Sequence, residues 1–310
     1  MDNSINLSGD DAPFVFERPA PGFPWLNVAM FALTCGSALI VGALLMASFR
    51  DTLPETFTGF FLDLLRSPSL LITGLPFRIA IMTILLAHEM GPYLTCRYYG
   101  ISASLPYFIP APTMVGTMGA FIRIRSPIQN RSALLEVGVA GPIAGFVLAI
   151  PALFIALAQS RFVVLDPAES TFGLGEPLIF KAAAALMGKI PPAGMDLYLH
   201  PIGLAAWFGF FATAINLLPV GQLDGGHIAY ALFGRFHGKI SRAFVLCLIP
   251  IGVFYWNGWL IWTTILFFIG LRHPSTLDDS KPLSRRHFWL GWLALIMFIL
   301  CFTPIPFYLT

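Results

Sequence analysis

Long apolar runs separated by short polar segments dominate the chain. Residues 25–49, 79–96 and 133–160 are each long enough to cross a bilayer as a helix, which takes about 20 residues. Further apolar runs at 201–220 and 288–309 predict two more spans. The pattern therefore predicts an all-α polytopic membrane protein with about six to seven transmembrane segments.

Two other stretches contain residues that interrupt a helix. Residues 243–271 are uncharged, but the Asn-Gly pair at 257–258 favours a turn. We predict a hairpin of two short helices here, and one bent helix is the alternative. The run at 133–160 has Glu136 near its start and is predicted to be interrupted by the Gly-Pro pair at 141–142.

One segment alternates as a strand does. Residues 116–125 end in alternating apolar and basic side chains, a pattern with the period of a β-strand. We predict a small interfacial β-hairpin near 105–128. Arg123 and Arg125 are expected to meet lipid headgroups.

Arginine and lysine predict the orientation, because cytoplasmic loops of membrane proteins carry more of them. The loops 97–131, 235–242 and 272–287 are rich in these residues, and the first has no acidic residue. The loops 50–78 and 161–200 contain both acidic and basic residues and are expected on the side of the membrane away from the cytoplasm. This arrangement predicts a cytoplasmic N-terminus and a C-terminus on the other side.

The composition agrees with a bilayer as the main partner of the chain. Of its 310 residues, 57% are hydrophobic and 11% are charged, whereas a soluble domain carries about 25% charged residues. The net charge of +2 is too small to indicate nucleic acid. The four cysteines are scattered without a C-x-x-C pair, so neither a disulfide framework nor a thiolate zinc site is expected.

The start of the chain differs from a signal peptide. Residues 1–24 contain four acidic residues and four prolines before any apolar run, whereas a signal peptide has a positive start followed by an apolar stretch. We predict a disordered cytoplasmic lead over 1–24 and one membrane domain over 25–310. The expected location is a bacterial inner membrane or an equivalent membrane.

Ionisable residues inside a spanning helix are costly and are candidates for a functional site. His88 and Glu89 lie in L-L-A-H-E-M-G-P-Y-L, residues 85–94, which begins like the zinc signature H-E-x-x-H. In that signature two histidines four residues apart share one helix face and grip a metal, while the glutamate takes a proton from metal-bound water. Pro92 stands where the second histidine belongs. A hydrogen-bonded pair that packs helices together is the alternative interpretation.

A further ligand is expected from another part of the chain, because a catalytic zinc takes three protein ligands and keeps one position for water. Asp224 is suited to this, since Gly225-Gly226 lets the backbone approach closely; a helix cap is the alternative. His227 follows Asp224 on the same helical face and is the candidate to replace the missing ligand. Its alternative role is a local hydrogen bond in the turn.

Six segments carry a resemblance that extends well beyond the His-Glu pair: A-H-E-M-G-P-Y-L-T-C-R-Y-Y-G (87–100), L-P-Y-F-I-P-A-P (105–112), G-T-M-G-A-F-I-R-I-R-S-P-I (116–128), A-G-P-I-A-G-F (140–146), N-L-L-P-V-G-Q-L-D-G-G-H (216–227) and R-H-P (272–274). On these segments the chain resembles the site-2 protease family, the intramembrane zinc metalloproteases, over a protease-like core of about 79–274.

The resemblance implies roles for particular residues. It implies that His88 and Asp224 hold zinc and that Glu89 is the acid/base. It implies that Asn216 contacts the substrate backbone or the oxyanion. The segment with Gly116 and Gly119 is expected to offer a strand edge to which an unwound substrate helix adds; a surface hairpin that only anchors the fold is the alternative.

Pro92 departs from the family pattern in two ways. It removes one metal ligand, which leaves two protein ligands for zinc. Inside a helix it also costs ~3 kcal/mol through a lost hydrogen bond and a clash with the preceding turn. We therefore expect the helix to kink or end near Gly91-Pro92.

Three functions are compatible with these residues. The first is a site-2-protease-like zinc metalloprotease that cleaves transmembrane segments of membrane proteins. The second is an inactive pseudoprotease that binds such helices, with a regulatory membrane partner. The third is an ion transporter with Glu89, Asp224 and Glu136 along its path; the inverted halves typical of transporters are not apparent.

Overall fold

The computed structural model describes residues 23–54, 56–164 and 172–309, so residues 1–22 of the predicted lead lie outside the described part. Within these ranges the helices are α1 (Trp25–Phe49), α2 (Phe57–Arg66), α3 (Leu75–Tyr98), α4 (Arg131–Gln159), α5 (Leu178–Leu186), α6 (Pro201–Asn216), α7 (Asp224–Phe233), α8 (His237–Phe254), α9 (Gly258–Ile269) and α10 (Arg285–Cys301). The strands are β1 (Tyr107–Pro110), β2 (Thr117–Phe121), β3 (Arg161–Val164), β4 (Phe172–Leu174), β5 (Met195–Tyr198) and β6 (Phe307–Leu309). They pair antiparallel as β1-β2, β3-β5 and β4-β6.

Four helical segments in the described ranges are long and apolar enough to cross a membrane: Trp25–Phe49, Pro68–Tyr98, Arg131–Gln159 and Asp224–Phe254. Two shorter apolar helices, Pro201–Asn216 and Gly258–Phe268, accompany them. The prediction of an all-α polytopic membrane protein with small sheets is confirmed. The number of six to seven spans stays a prediction.

The predicted interruption of α4 at Gly141-Pro142 is wrong, and α3 does not end near Gly91-Pro92; a kink there stays a prediction. α3 continues across Pro92 to Tyr98, and α4 continues across Pro142 and Pro151 to Gln159. Each proline removes a backbone hydrogen bond, but the two helices pack against each other over this region more extensively than any other pair of elements. This tertiary packing holds both helices across their prolines despite the local cost.

The apolar stretch 243–271 is the predicted hairpin. α8 ends at Phe254 and α9 begins at Gly258, so the chain turns at the Asn-Gly pair. Gly252 allows the two helices to pack closely, because a Cβ there would lie 2.7 Å from the Leu260 side chain. By contrast, the last predicted span is shorter than expected. α10 ends at Cys301, and β6 follows and pairs with β4.

The β1-β2 hairpin lies along the first half of α1. Near the start of α1, the Asn27 side-chain amide donates hydrogen bonds to the carbonyls of Leu105 and Pro106, each at 2.9 Å. Near the middle, the Ser37 hydroxyl donates to the Gly116 carbonyl at 2.5 Å. The pairing of β1 with β2 confirms the predicted hairpin, and its turn lies beside the middle of α1. Its interfacial position stays a prediction.

His200 precedes the first residue of α6 and contacts the end of α1. Its Nδ1 accepts a hydrogen bond from the Ile202 N–H at 3.3 Å, and its ring packs edge-on against Phe49. Burial of the ring, and to a lesser extent the nearby Arg50 charge, lower the pKa of His200 below its ordinary value. The neutral ring is thus the form that the fold accommodates.

We expect stability to fall as the pH drops below about 6.5, because the unfolded chain then takes up a proton that folded His200 resists. Above that pH the contribution of His200 to the free energy of unfolding is fully present. His200→Asn keeps a side chain that caps helices well and is expected to weaken this acid dependence. Thermal unfolding in detergent from pH 5 to pH 8 measures it, and identical profiles for the two chains would refute the prediction.

Candidate functional site

The predicted His-Glu pair lies on α3, where that helix packs against α4. His88 and Glu89 are both buried. Two glycines of α4 make room for His88: a Cβ on Gly141 would lie 2.8 Å from the His88 carbonyl oxygen, and one on Gly145 would lie 3.0 Å from His88 Nδ1. The close approach of α3 and α4 therefore sets the position of the imidazole.

Asp224 and Asn216 meet His88 from two other helices. Asn216 is the last residue of α6, and Asp224 is the first residue of α7. The His88 Nε2 atom lies 3.2 Å from Asp224 Oδ2 and 3.0 Å from Asn216 Nδ2. The structure thus brings together three predicted site residues that are far apart in the sequence.

The glycines after Asp224 make this arrangement sterically possible. A Cβ on Gly225 would lie 2.1 Å from the Leu217 carbonyl oxygen, and one on Gly226 would lie 2.4 Å from the Gly221 carbonyl oxygen. These contacts are with backbone atoms, which cannot rotate away. The tight turn between α6 and α7 therefore requires glycine at both positions, as the Gly-Gly pair predicted.

The His88 Nε2 atom, which both partners contact, can donate or accept a hydrogen bond but cannot do both at once. If Nε2 carries the proton, it donates to the Asp224 carboxylate; if it is bare, it accepts from the Asn216 amide. The 3.2 Å spacing of Nε2 and the carboxylate oxygen is close to the about 3.3 Å that separates neighbouring ligands in a tetrahedral zinc site with bonds of about 2.0–2.1 Å. The spacing is that of a hydrogen-bonded pair, and it also matches two neighbouring zinc ligands.

A third ligand is missing from the described residues. Pro92 is buried, and its Cδ atom lies 3.3 Å from where a Cβ on Gly141 would be. No group of three or more His, Cys, Asp or Glu side chains in the described ranges is placed to hold a metal. The residues present therefore do not fit a catalytic zinc ion with three protein ligands.

His227 does not take the place of the missing ligand. Its Nδ1 atom lies 2.6 Å from Nε2 of His273, and the two rings meet edge to face. His273 in turn stacks on Tyr230 with ring centroids 4.7 Å apart, and burial lowers the pKa of His273. The structure thus gives His227 a hydrogen-bond partner 46 positions away, and not the local partner within the turn that the alternative expected.

Glu89 points toward the β-hairpin. Its carboxylate lies near the backbone of Ile122, the residue that follows β2. The hairpin and the His88 site are therefore adjacent, and Glu89 lies between them.

Glu136 belongs to a different cluster. The Tyr99 hydroxyl donates to its carboxylate at 2.8 Å, and His287 Nε2 lies 3.3 Å away. Burial, followed by the Glu136 contact, raises the pKa of Tyr99 to about 12, so the hydroxyl stays a donor. These contacts connect Glu136 of α4 to Tyr99 after α3 and to His287 of α10. The ion path through Glu136 stays a prediction.

The fold and the site together define a polytopic membrane protein with a His-Glu pair on one spanning helix and a facing aspartate at the start of another. A sequence profile of peptidase family M50 matches residues 76–256. The chain belongs to this family, and the predicted resemblance to site-2 proteases is confirmed.

Curated relatives support the same assignment. The probable zinc metalloprotease EGY2 of Arabidopsis thaliana is 31% identical over 254 residues, which are 78% of this chain and 44% of the relative. EGY2 of Oryza sativa subsp. indica is 29% identical over 291 residues, 91% of this chain and 50% of the relative. The chain spans about half the length of the curated relatives it matches.

The location of the chain is defined only in part. Its apolar helices make it a membrane protein by length and composition. The names of the EGY2 relatives describe those proteins as chloroplastic, so they do not support a bacterial inner membrane. That membrane, the cytoplasmic N-terminus and the division into lead and membrane domain stay predictions.

Proposed function

We propose that this chain binds membrane-spanning segments of other membrane proteins as an M50 member without a complete zinc site. The observation that carries this proposal is the missing third ligand beside an otherwise assembled site. His88, Asp224 and Asn216 converge, but position 92 holds a buried proline. The protein would then retain a substrate without hydrolysing it, and a regulatory membrane partner is a further expectation.

The hairpin supports binding of an extended segment. β1 and β2 form a sheet of two strands, so each has an edge without a strand partner in the described residues. Gly119 has a φ of 98°, and a Cβ there would meet nothing within 4 Å. Met118 beside it is 72% exposed. A strand can add to such an edge through backbone hydrogen bonds.

Roles for the site residues follow from this placement. The Asn216 amide is a donor that can turn from His88 to a carbonyl oxygen of the bound segment. His88 and Asp224 contact each other directly as a hydrogen-bonded pair. Glu89 joins the site to the hairpin through Ile122. Gly116, with a φ of 76°, allows the hairpin to fold against α1.

A zinc-dependent peptidase acting within the membrane is the second candidate function. It is favoured by Glu89, which remains beside the paired His88 and Asp224 although ionisable residues are costly in lipid. In this function Glu89 takes the proton of the attacking water, and the substrate is a transmembrane segment. A ligand replacing position 92 is required, so the zinc content of the purified chain separates the two functions.

Crosslinking tests whether the hairpin binds a membrane segment. We expect Met118→Cys, in a Cys247→Ser background that removes the exposed native thiol, to form disulfides with a transmembrane peptide carrying a single cysteine. The peptide is expected to remain uncut. Gel analysis of proteoliposomes after mild oxidation measures both the crosslink and any cleavage.

The matched control is Leu186→Cys on α5, which is 78% exposed but distant in the chain from the hairpin. Crosslinking of Met118→Cys at the level of this control would overturn the proposed binding. Cleavage of the peptide by the natural chain, abolished by Glu89→Gln, would instead establish the peptidase.

A further inference from the structure

Arg78 is a charged residue inside a membrane-spanning segment. It lies in the first turn of α3, within the Pro68–Tyr98 span. Its guanidinium makes no hydrogen bond or ion pair with any residue in the part of the chain that the structure describes. Sequence reasoning placed it in the loop 50–78, because the charge interrupts the apolar run.

The contacts of α3 with α1 place Arg78 beside the middle of α1, a helix long and apolar enough to cross a membrane. Gly74, one turn earlier, packs against α1: a Cβ there would lie 2.2 Å from the Leu39 carbonyl oxygen. Arg78 itself lines a cavity of about 400 Å³ whose other walls all belong to α1: Phe31, Ala32, Cys35, Gly36 and Leu39. These residues surround the midpoint of the Trp25–Phe49 helix, so Arg78 lies level with the middle of that span.

An arginine at this depth needs a partner. A guanidinium at the centre of a spanning helix is costly unless it is paired. Lipid phosphates lie at the boundary of the hydrocarbon core, about 15 Å from its middle. A carboxylate carried by a transmembrane helix can lie at any depth, and its geometry matches the guanidinium fork.

The α1 wall of the cavity suits a docked helix. Ala32 and Gly36 are small residues four positions apart, which allows helices to approach closely in membranes. A Cβ on Gly36 would meet nothing within 4 Å, so this surface is open.

We propose that the groove between α1 and α3 binds a transmembrane helix that carries an aspartate or glutamate near its middle, with that carboxylate paired to Arg78. The groove would select which membrane proteins reach the hairpin. Arg78 precedes Glu89 by eleven residues, which places it on the same face of α3 about 16 Å away. The binding requires neither zinc nor hydrolysis.

Energy transfer between labelled partners tests the proposal. The full chain is placed in vesicles of pure phosphatidylcholine and titrated with apolar helical peptides of about 22 residues that carry one central Glu or one central Gln. We expect the Glu peptide to bind about tenfold more tightly, because only it supplies an anion for the Arg78 guanidinium.

Two variants test whether the preference for the Glu peptide depends on Arg78. Arg78→Leu is expected to bind both peptides equally. Arg97→Leu, which changes an exposed arginine at the other end of the same helix, is expected to keep the preference. A preference that survives Arg78→Leu overturns the proposal.

Two further outcomes overturn it without depending on the folding of any variant. One is equal binding of the Glu and Gln peptides by the natural chain. The other is complete displacement of the Glu peptide when part of the phosphatidylcholine is replaced by anionic phosphatidylglycerol, which would identify the occupant as a lipid. None of these measurements involves Met118 or cleavage. A negative result here therefore leaves the hairpin proposal standing, and a negative crosslinking result leaves this one standing.

Discussion

Pro92→His is expected to give this chain about one bound zinc ion that the natural protein lacks, since a catalytic site needs three protein ligands. α3 is a continuous helix from Leu75 to Tyr98, so a histidine at position 92 lies on the same face as His88, one turn away. His88 Nε2 and Asp224 already lie at the spacing of two ligands. The substitution supplies the third ligand without a change in the course of the backbone.

The expected effect is large. Complete structural zinc sites bind with about 10–16 kcal/mol, so one ligand of several contributes a few kcal/mol, or roughly a thousandfold in affinity. Metal analysis of purified, detergent-solubilised protein gives the stoichiometry. Competition with a chromophoric chelator gives the affinity.

Two controls define the result. Pro151→His also places a histidine at a proline inside a spanning helix, but at an exposed position of α4, and it is expected to gain no zinc. Adding Asp224→Ala to Pro92→His is expected to remove the gain. If the natural chain itself holds about one zinc ion per molecule as tightly as the variant, the pseudoprotease proposal is wrong and a replacement ligand exists.

Gly91→Ala is expected to destabilise the protein by about 1–3 kcal/mol, because an added methyl group overpacks the contact of α3 with α4. A Cβ at this position would lie 2.5 Å from the Ala140 carbonyl oxygen and 2.6 Å from its carbon. Both atoms are backbone of α4, so the helices must move apart. His88 would then shift relative to Asp224.

Gly36→Ala is the matched control for the intrinsic effect of the substitution. Gly36 is also a glycine within a spanning helix, but a Cβ there meets nothing within 4 Å. Alanine favours a helix over glycine by about 0.5–1 kcal/mol, so this variant is expected to be neutral or slightly stabilised. Thermal unfolding in detergent compares the two, and a Gly91→Ala midpoint equal to that of Gly36→Ala would contradict the packing argument.

The helices follow from the apolar runs where no tertiary contact overrides local preference. The run at 25–49 coincides with α1, and the Asn-Gly turn separates α8 from α9. The start of α3 differs from the predicted start at residue 79, because the charge of Arg78 interrupts the apolar run although the helix continues through it. α3 begins at Leu75, with a proline in its first turn. Arg78 was missed for this reason.

The candidate site was largely predictable because its residue types are costly in a membrane and its spacing is that of a known family. His88, Asp224 and Asn216 meet as the motifs imply. The continuity of α3 across Pro92 was not predictable, since it depends on glycines of α4 that lie about fifty residues further along the chain. The pairing of His227 with His273 depends on a contact across 46 positions and leaves no local signal.

The hairpin beside α1 also has a consequence for the order of membrane assembly. Its turn, at Gly116, contacts the middle of α1, yet each of its two strands has an edge that no other strand of the described residues pairs with. Backbone groups without partners are not tolerated in hydrocarbon, so such a sheet cannot enter a bilayer by itself. The spanning helices α1 and α3 must therefore be inserted first, and the hairpin reaches its depth only by folding onto them.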